Sequence, residues 1–310
     1  MRIAAIDIGT NTLLMLIGEY SNSTTSILRD EHAIARLGEG VDKTGFISNE
    51  ALERTKHILF QYKIICEKLD VNIKTVKATS ALRDARNSTE IRSALAQVIG
   101  VPVEVISGDE EARLSFIGSC EEFSPATVID IGGGSTEYIT GEFTRITRRK
   151  SLQVGAVRLF ERYLKALPPS AEAVAAARSE IRSQLAQLSL ADTFADTAPT
   201  PTGAIIGVGG TFTTLAAMDL ELQAFDSTLV HLHNLSLERV QALTYQLLNS
   251  ELSTLLQNPA VHPKRADILP AGALILEESL RFFGAHSCLA STKGLRYGIL
   301  YDTISRLLHP

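Results

Sequence analysis

The chain has 310 residues, of which 45% are hydrophobic and 21% charged, with a net charge of −5. This is the balance of a globular protein of about two domains, each with material for a core. Net negative charge excludes a nucleic-acid binder acting through overall basicity, so an anionic substrate needs a local basic site.

No apolar run reaches membrane-spanning length, and no signal-peptide core precedes the first strand. Cys66, Cys120 and Cys288 are widely spaced and form no CxxC pair. They read as reduced, mostly buried thiols of a cytoplasmic protein.

Residues 3–8 predict a short apolar strand ending at Asp7-Ile8-Gly9, with 13–20 as its hairpin partner. A third strand falls between Thr25 and Leu37. Ser48-Asn49 opens a helix whose apolar positions Leu52, Leu59, Tyr62, Ile65, Cys66 and Leu69 recur near the helical period. A strand over 73–78, a helix over 88–98, a strand over 103–106 and a helix over 108–120 follow.

The opening then repeats. Residues 126–131 run into Gly132-Gly133-Gly134-Ser135, and a second strand ends at Gly141-Glu142. Asp7 matches Asp130, Gly9 matches Gly132, Thr12 matches Ser135, and Gly18-Glu19 matches Gly141-Glu142, at constant offset. A gapless echo of strand, turn and strand indicates a duplicated domain. Next come a strand over 145–154, a helix near 156–164, and an Ala-rich amphipathic helix over 171–189. Residues 191–203 read as an exposed loop. A strand over 204–208 enters a third glycine turn, Gly207-Val208-Gly209-Gly210-Thr211, which opens a helix. The remainder reads as mainly helical, with one strand near 287–291 and a final helix after Gly294.

Each of the three glycine turns follows a buried strand, where exposed N–H groups and close backbone approach suit a phosphate. Two of the strands end in Asp. Copies of one domain would set Asp7 and Asp130 facing each other across a cleft. Hard carboxylate oxygens suit Mg²⁺, which takes one or two of them together with waters and substrate phosphates. Asp7, Asp130 and Glu137, which lies close to Asp130 along its hairpin, are the candidate ligands. A turn-capping role is the alternative for each Asp.

Ser107 and Glu110 have the spacing of a helix capping box. Glu111, about 100° further round the helix, has no such structural role and is a candidate general base. A solvated helix Glu is its alternative. Arg83, after the 73–78 strand, could hold phosphate bidentately or stand as an ordinary surface Arg. Arg145, Arg148, Arg149 and Lys150 form the densest basic cluster, read as a solvated hairpin before a substrate track. Lys293, Arg296 and Arg265 are further cations for such a track. None of the seven histidines has metal-ligand spacing.

In order along the chain, Asp7-Ile8-Gly9-Thr10-Asn11-Thr12, Ala78-Thr79-Ser80-Ala81-Leu82-Arg83, Ser107-Gly108-Asp109-Glu110-Glu111-Ala112-Arg113-Leu114, Asp130-Ile131-Gly132-Gly133-Gly134-Ser135-Thr136-Glu137 and Gly207-Val208-Gly209-Gly210-Thr211 resemble the motifs of the Ppx/GppA phosphatases, the exopolyphosphatase and guanosine pentaphosphate phosphohydrolase family. Arg265 to Gly272 and Gly294 to Gly298 resemble its late motifs, so the likeness covers nearly the whole chain.

The resemblance implies an α/β fold of two ribonuclease-H-like (actin-like ATPase) domains flanking an active-site cleft. The expected domains are 1–122 and 123–293, with the final helix, about 294–310, returning to the first. It further implies Mg²⁺-dependent (or other divalent-cation-dependent) hydrolysis of a terminal phosphoanhydride of inorganic polyphosphate or guanosine pentaphosphate, without nucleic acid or membrane, and a homodimer. Glu111 would activate water, Asp130 and Glu137 would act on the metal and the nucleophilic water, and Arg83 would contact phosphate. Asn11-Thr12, Gly133-Gly134-Ser135 and Gly209-Gly210-Thr211 would cradle the phosphates. Longer members add a C-terminal helical region with an HD metal motif. This chain has no His-Asp pair and resembles the short form.

Two other readings fit the same fold. A small-metabolite kinase would hold adenosine on the third loop; Glu111 and the complete DIGGGSTE segment argue against it. A non-catalytic sensor of guanosine tetra- or pentaphosphate is opposed by the intact catalytic set.

Overall fold

A computed structural model describes residues 1–120, 123–142, 145–190 and 203–309. The loop expected over 191–203 lies, up to residue 202, outside the described residues. In chain order the first elements are β1 (Arg2–Ile8), β2 (Thr12–Ser21), β3 (Thr24–Ile34), α1 (Val41–Thr44), α2 (Asn49–Lys68), β4 (Ile73–Ala78), α3 (Ser80–Asp84), α4 (Ser88–Ile99), β5 (Val103–Val105) and α5 (Gly108–Ser119). Then come β6 (Ala126–Ile131), β7 (Thr136–Glu142), β8 (Arg145–Leu152), α6 (Ala156–Leu159), a π-helical turn (Phe160–Leu164), α7 (Ala171–Leu190), β9 (Ala204–Val208) and α8 (Gly210–Asp219). The chain closes with α9 (Ser227–Val230), β10 (His233–Ser236), α10 (Leu237–Leu248), α11 (Leu252–Leu255), a 3₁₀ turn (Pro263–Arg265), α12 (Leu269–Phe282), β11 (Ser287–Ser291) and α13 (Leu295–Leu308).

These elements form two compact units, Met1–Gly118 with Leu295–Pro310, and Ser119–Gly294. In the first, five strands lie in the order β3-β2-β1-β4-β5. β1, β2 and β3 are antiparallel, while β4 and β5 run parallel to β1. β1 reads as an almost unbroken apolar run because both its faces are covered. Ala4, Ile6 and Ile8 join Leu59 and Tyr62 of α2 and Leu95 of α4 in one core. Ile3 and Ala5 point the other way. They join Leu114 of α5 and Leu295, Ile299, Leu300 and Ile304 of α13 in a second core. α13 passes close to α5: a Cβ on Gly298 would stand 1.8 Å from the Leu114 carbonyl oxygen. α2 starts where the sequence predicts, with the Ser48 side chain accepting from the Ala51 amide at 3.2 Å.

In the second unit six strands lie in the order β10-β11-β9-β6-β7-β8. Read inward from the other edge, β8-β7-β6-β9-β11 repeats the order and senses of the first sheet. Each unit therefore has the ribonuclease-H-like topology, and the gapless echo in the sequence is a duplicated fold. β10 corrects the expectation of a single strand in the last third. Its four residues, His-Asn-Leu-Ser, carry no apolar alternation of their own and become a strand by pairing with β11, Leu235 opposite Cys288.

The core of this unit sets Ile129, Ile131 and Tyr138 against α7, α8 and α12. The Tyr138 hydroxyl lies 2.6 Å from that of Ser279. α7 is tied to α12 by Arg178 to Glu277 at 2.9 Å, by Arg182 to Glu278 at 2.7 Å, and by a further pairing of Arg178 with Glu278. Both glutamates are buried. All three cysteines are free and buried, as the sequence predicts. Among the described residues no helix is long and apolar enough to cross a membrane.

Candidate active site

In the first unit Asp7 is buried near the end of β1. The turn beyond it is closed by the Gly9 amide donating to the Thr12 carbonyl at 2.9 Å. The Thr10 carbonyl accepts from Gly38, and the Asn11 carbonyl from Ala35 and Arg36. The N–H of a trans peptide points opposite its carbonyl. Anchoring the Thr10 carbonyl therefore turns the Asn11 N–H away from the anchor. The Asn11 side-chain oxygen is buried without a hydrogen-bond partner among the described residues, as expected of a group that a ligand or solvent completes. On the neighbouring strand Lys77 shares the rung of Asp7. It is buried and paired with Glu104, a cation that sequence reasoning did not single out.

Arg83 leaves α3 and reaches α5. Its Nη1 donates to the Ile106 carbonyl and to Glu111 Oε2, both at 2.9 Å. Its Nη2 is buried with no hydrogen-bond partner among the described residues. The start of α5 explains why two adjacent glutamates part company. The Ser107 hydroxyl accepts from the Glu110 amide at 3.2 Å, the capping half of the expected box. The Glu110 side chain takes both nitrogens of Arg113 at 2.8 Å instead of turning back to Ser107. The Arg113 hydrogen bonds hold its carboxyl below the usual carboxylate range. Glu111 projects elsewhere and is only 8% exposed.

In the second unit the same turn recurs. The Gly132 amide donates to the Ser135 carbonyl at 3.0 Å, as Gly9 does to Thr12. The Gly132 carbonyl accepts from Ala156 and the Gly133 carbonyl from Val157 and Arg158. The Gly134 carbonyl accepts from Arg158 Nε at 2.8 Å. Three consecutive carbonyls are thus drawn to the start of α6. The N–H groups of Gly133, Gly134 and Ser135 are turned the opposite way, an arrangement that binds anions.

Asp130 on β6, Glu137 on β7 and Ser151 on β8 stand directly opposite one another across three strands, on one face of the sheet. The Ser151 hydroxyl donates to Glu137 Oε1 at 2.6 Å. Glu137 is 1% exposed.

The third turn runs beside this rung. Gly209 has φ of 101°, and a Cβ there would stand 2.7 Å from the Ile131 carbonyl and 3.4 Å from Asp130 Oδ1. Gly210 opens α8, and the Arg265 guanidinium stands over it, with Nη1 1.3 Å from the position a Cβ would take. Burial pushes the Arg265 pKa down to about 10, so it stays a cation at neutral pH.

The predicted residues are therefore grouped within each unit. Arg83 meets Glu111, the Asn11-Thr12 turn follows Asp7, and Asp130 meets Glu137 and the Gly209 turn. The basic cluster is not one surface. On β8 Arg145 and Arg149 are exposed while Arg148 and Lys150 are half-buried, because successive side chains alternate. Arg296 is committed to Asp30 through two bonds at 2.8 and 2.9 Å. Arg265 sits against the third loop, and Ser151 joins the site without belonging to any motif in the sequence. The register between the consecutive strands β7 and β8 places it opposite Glu137, and that register, which shifts between Thr140 and Gly141, leaves no residue signature in the sequence.

Among the described residues no group of three or more His, Cys, Asp or Glu side chains is arranged to hold a metal. The pair Asp130 and Glu137 nevertheless fits a hard cation. Mg²⁺ needs only one or two protein carboxylates. Gly209 places no side chain beside Asp130 Oδ1, where a Cβ would stand 3.4 Å away.

Known proteins of one family resemble the chain along nearly its whole length. The family model of the Ppx/GppA phosphatase family matches residues 16–307. Exopolyphosphatase 2 of Mycobacterium tuberculosis is 34% identical over 299 residues, covering 90% of each chain. The crystal structure of an exopolyphosphatase from Cytophaga hutchinsonii superposes with a TM-score of 0.89 at 29% identity, covering 99% of this chain and 98% of the other. That of the Aquifex aeolicus Ppx/GppA family member does so with a TM-score of 0.82 at 28% identity, covering 100% and 99%. With its duplicated fold, its three glycine turns and these likenesses along its length, the chain belongs to the Ppx/GppA phosphatase family.

Proposed function

We propose that the protein is an exopolyphosphatase, hydrolysing the terminal phosphoanhydride of inorganic polyphosphate and releasing phosphate. The observation that carries this reading is the Arg83–Glu111 pair. One guanidinium nitrogen holds the carboxylate while the other is buried without a partner among the described residues, a donor suited to a phosphate oxygen. The exopolyphosphatase name of the M. tuberculosis relative supports polyphosphate as the substrate.

In this reading Glu111 takes a proton from water as the water oxygen bonds to the terminal phosphorus. The bridging P–O bond breaks, and its electron pair leaves with the shortened chain. Arg83 contacts the phosphate. The N–H groups of Gly133, Gly134 and Ser135, with the Asn11-Thr12 and Gly209-Gly210-Thr211 turns, offset charge on the non-bridging oxygens. Asp130 and Glu137 would hold Mg²⁺ or another divalent cation, which supplies positive charge to the phosphate oxygens when bound. Asp7 is assigned a metal-directed role in the first unit. Free, buried cysteines fit a reducing, cytoplasmic setting.

Phosphate release from long-chain polyphosphate and from guanosine pentaphosphate, side by side and with and without Mg²⁺, tests the reaction. Guanosine pentaphosphate presents the same kind of terminal anhydride, so the ratio of kcat/KM values identifies the substrate. Glu111→Gln is expected to lower kcat by about 100-fold or more with an unchanged thermal midpoint. Wild-type turnover in that variant would remove Glu111 from the mechanism.

A further inference from the structure

Glu137 is a buried carboxylate on an interior strand, and its neighbours hold it closely. Its neighbour Thr136 is anchored through its hydroxyl to the Val154 carbonyl at 2.6 Å. Its other neighbour, Tyr138, is fully buried with its hydroxyl 2.6 Å from that of Ser279. The backbone of Glu137 is thereby fixed on both sides, and what remains free to vary is the side chain. Glutamate carries several rotatable bonds, and ordering them costs conformational entropy. Ser151 contributes to ordering them. It stands opposite Glu137 on β8, and its hydroxyl donates to Oε1 at 2.6 Å. Oε1 is thereby held by β8, and on the other side of Glu137 lies β6, where Asp130 shares the rung.

We propose that Ser151 is a positioning residue for the metal-directed carboxylate of Glu137. It acts through Glu137 and does not itself touch the cation or the phosphate. The inference rests on the reading of Asp130 and Glu137 as the divalent-cation pair. A serine that only satisfies a buried carboxylate would affect folding; a positioning serine sets the geometry of the second oxygen. Hydrogen-bonding partners of metal ligands typically alter metal affinity or activity by about 10- to 100-fold when removed.

The test is Mn²⁺ binding, followed by the electron paramagnetic resonance signal of free Mn²⁺ in the presence of inorganic phosphate. It compares the wild type with Ser151→Ala, Ser151→Thr and Glu137→Gln, each checked for an unchanged thermal midpoint. Ser151→Ala is expected to weaken Mn²⁺ binding about 10- to 100-fold. Ser151→Thr, which keeps the hydroxyl and suits a strand, should stay within about threefold of wild type. Wild-type affinity in Ser151→Ala, with Glu137→Gln weakened, overturns the role of Ser151 and leaves the metal pair standing. Equal weakening in the Ala and Thr variants marks a packing defect and also overturns it. Wild-type affinity in Glu137→Gln overturns the metal pair, and the inference with it.

Discussion

At Gly209 the backbone runs through φ of 101°, and a Cβ there would stand 2.7 Å from the Ile131 carbonyl oxygen. The first condition strains any L side chain and the second pushes the third loop off the end of β6. Gly209→Ala is therefore expected to destabilise the protein by about 1–3 kcal/mol and to lower turnover by displacing the loop beside Asp130. Denaturant midpoints and kcat measured on one preparation check this, and an unchanged midpoint refutes it. At this scale the sequence was most legible where a residue broke its own local pattern. Asp7 and Asp130 end apolar runs, and Glu111 stands beside a glutamate whose spacing from Ser107 suggests a capping role. Ser151 breaks no pattern, and Arg265 meets Gly210 from a turn more than fifty residues away in the chain. Strand register places the first and tertiary approach the second, and local chemistry encodes neither.

The helix pair α7 and α12 carries an acid-sensitive tie. Burial works to raise the Glu278 pKa, and hydrogen bonds from Arg182 and Arg178 more than offset it, so the carboxyl lies below its ordinary value. A depressed folded pKa gives stability that is complete above the unfolded value of about 4.3 and is lost as pH falls through the folded one. The wild-type thermal midpoint is expected to fall on acidification below about pH 4, as this carboxylate and others protonate. Glu278→Gln should start about 1–3 kcal/mol less stable at neutral pH and show a shallower acid slope. Parallel slopes for the two proteins would refute this tie. Elements of strong periodicity were readable from the chain alone: β1, β6 and α2 lie where their apolar spacing and the Ser48 cap put them. β10 was not, since four residues with a single apolar side chain, Leu235, show no period and owe their extended form to β11. The basic run over 145–150 was seen as a cluster, yet strand alternation divides it between two faces.

The whole molecule is built from one fold used twice, with its first unit assembled from both ends of the chain. Leu295, Ile299, Leu300 and Ile304 bury against Ile3, Ala5, Leu16 and Leu114. Four aliphatic side chains at about 1.5–3 kcal/mol each are comparable with the whole net stability of a typical domain, about 5–15 kcal/mol. A chain stopped after Gly294 is expected to keep the second unit resistant to limited proteolysis and to be cleaved rapidly within 1–118. Equal resistance in both parts would show that α13 is dispensable to the first core. The same topology sets an order of events on the ribosome. The first 118 residues emerge early but wait with one face of their sheet only partly covered, while Ser119–Gly294 can complete its own core as soon as it has left the exit tunnel. The half of the protein made first is thus finished last, and during synthesis the apolar face of β1 is the surface that a nascent-chain chaperone would have to shield.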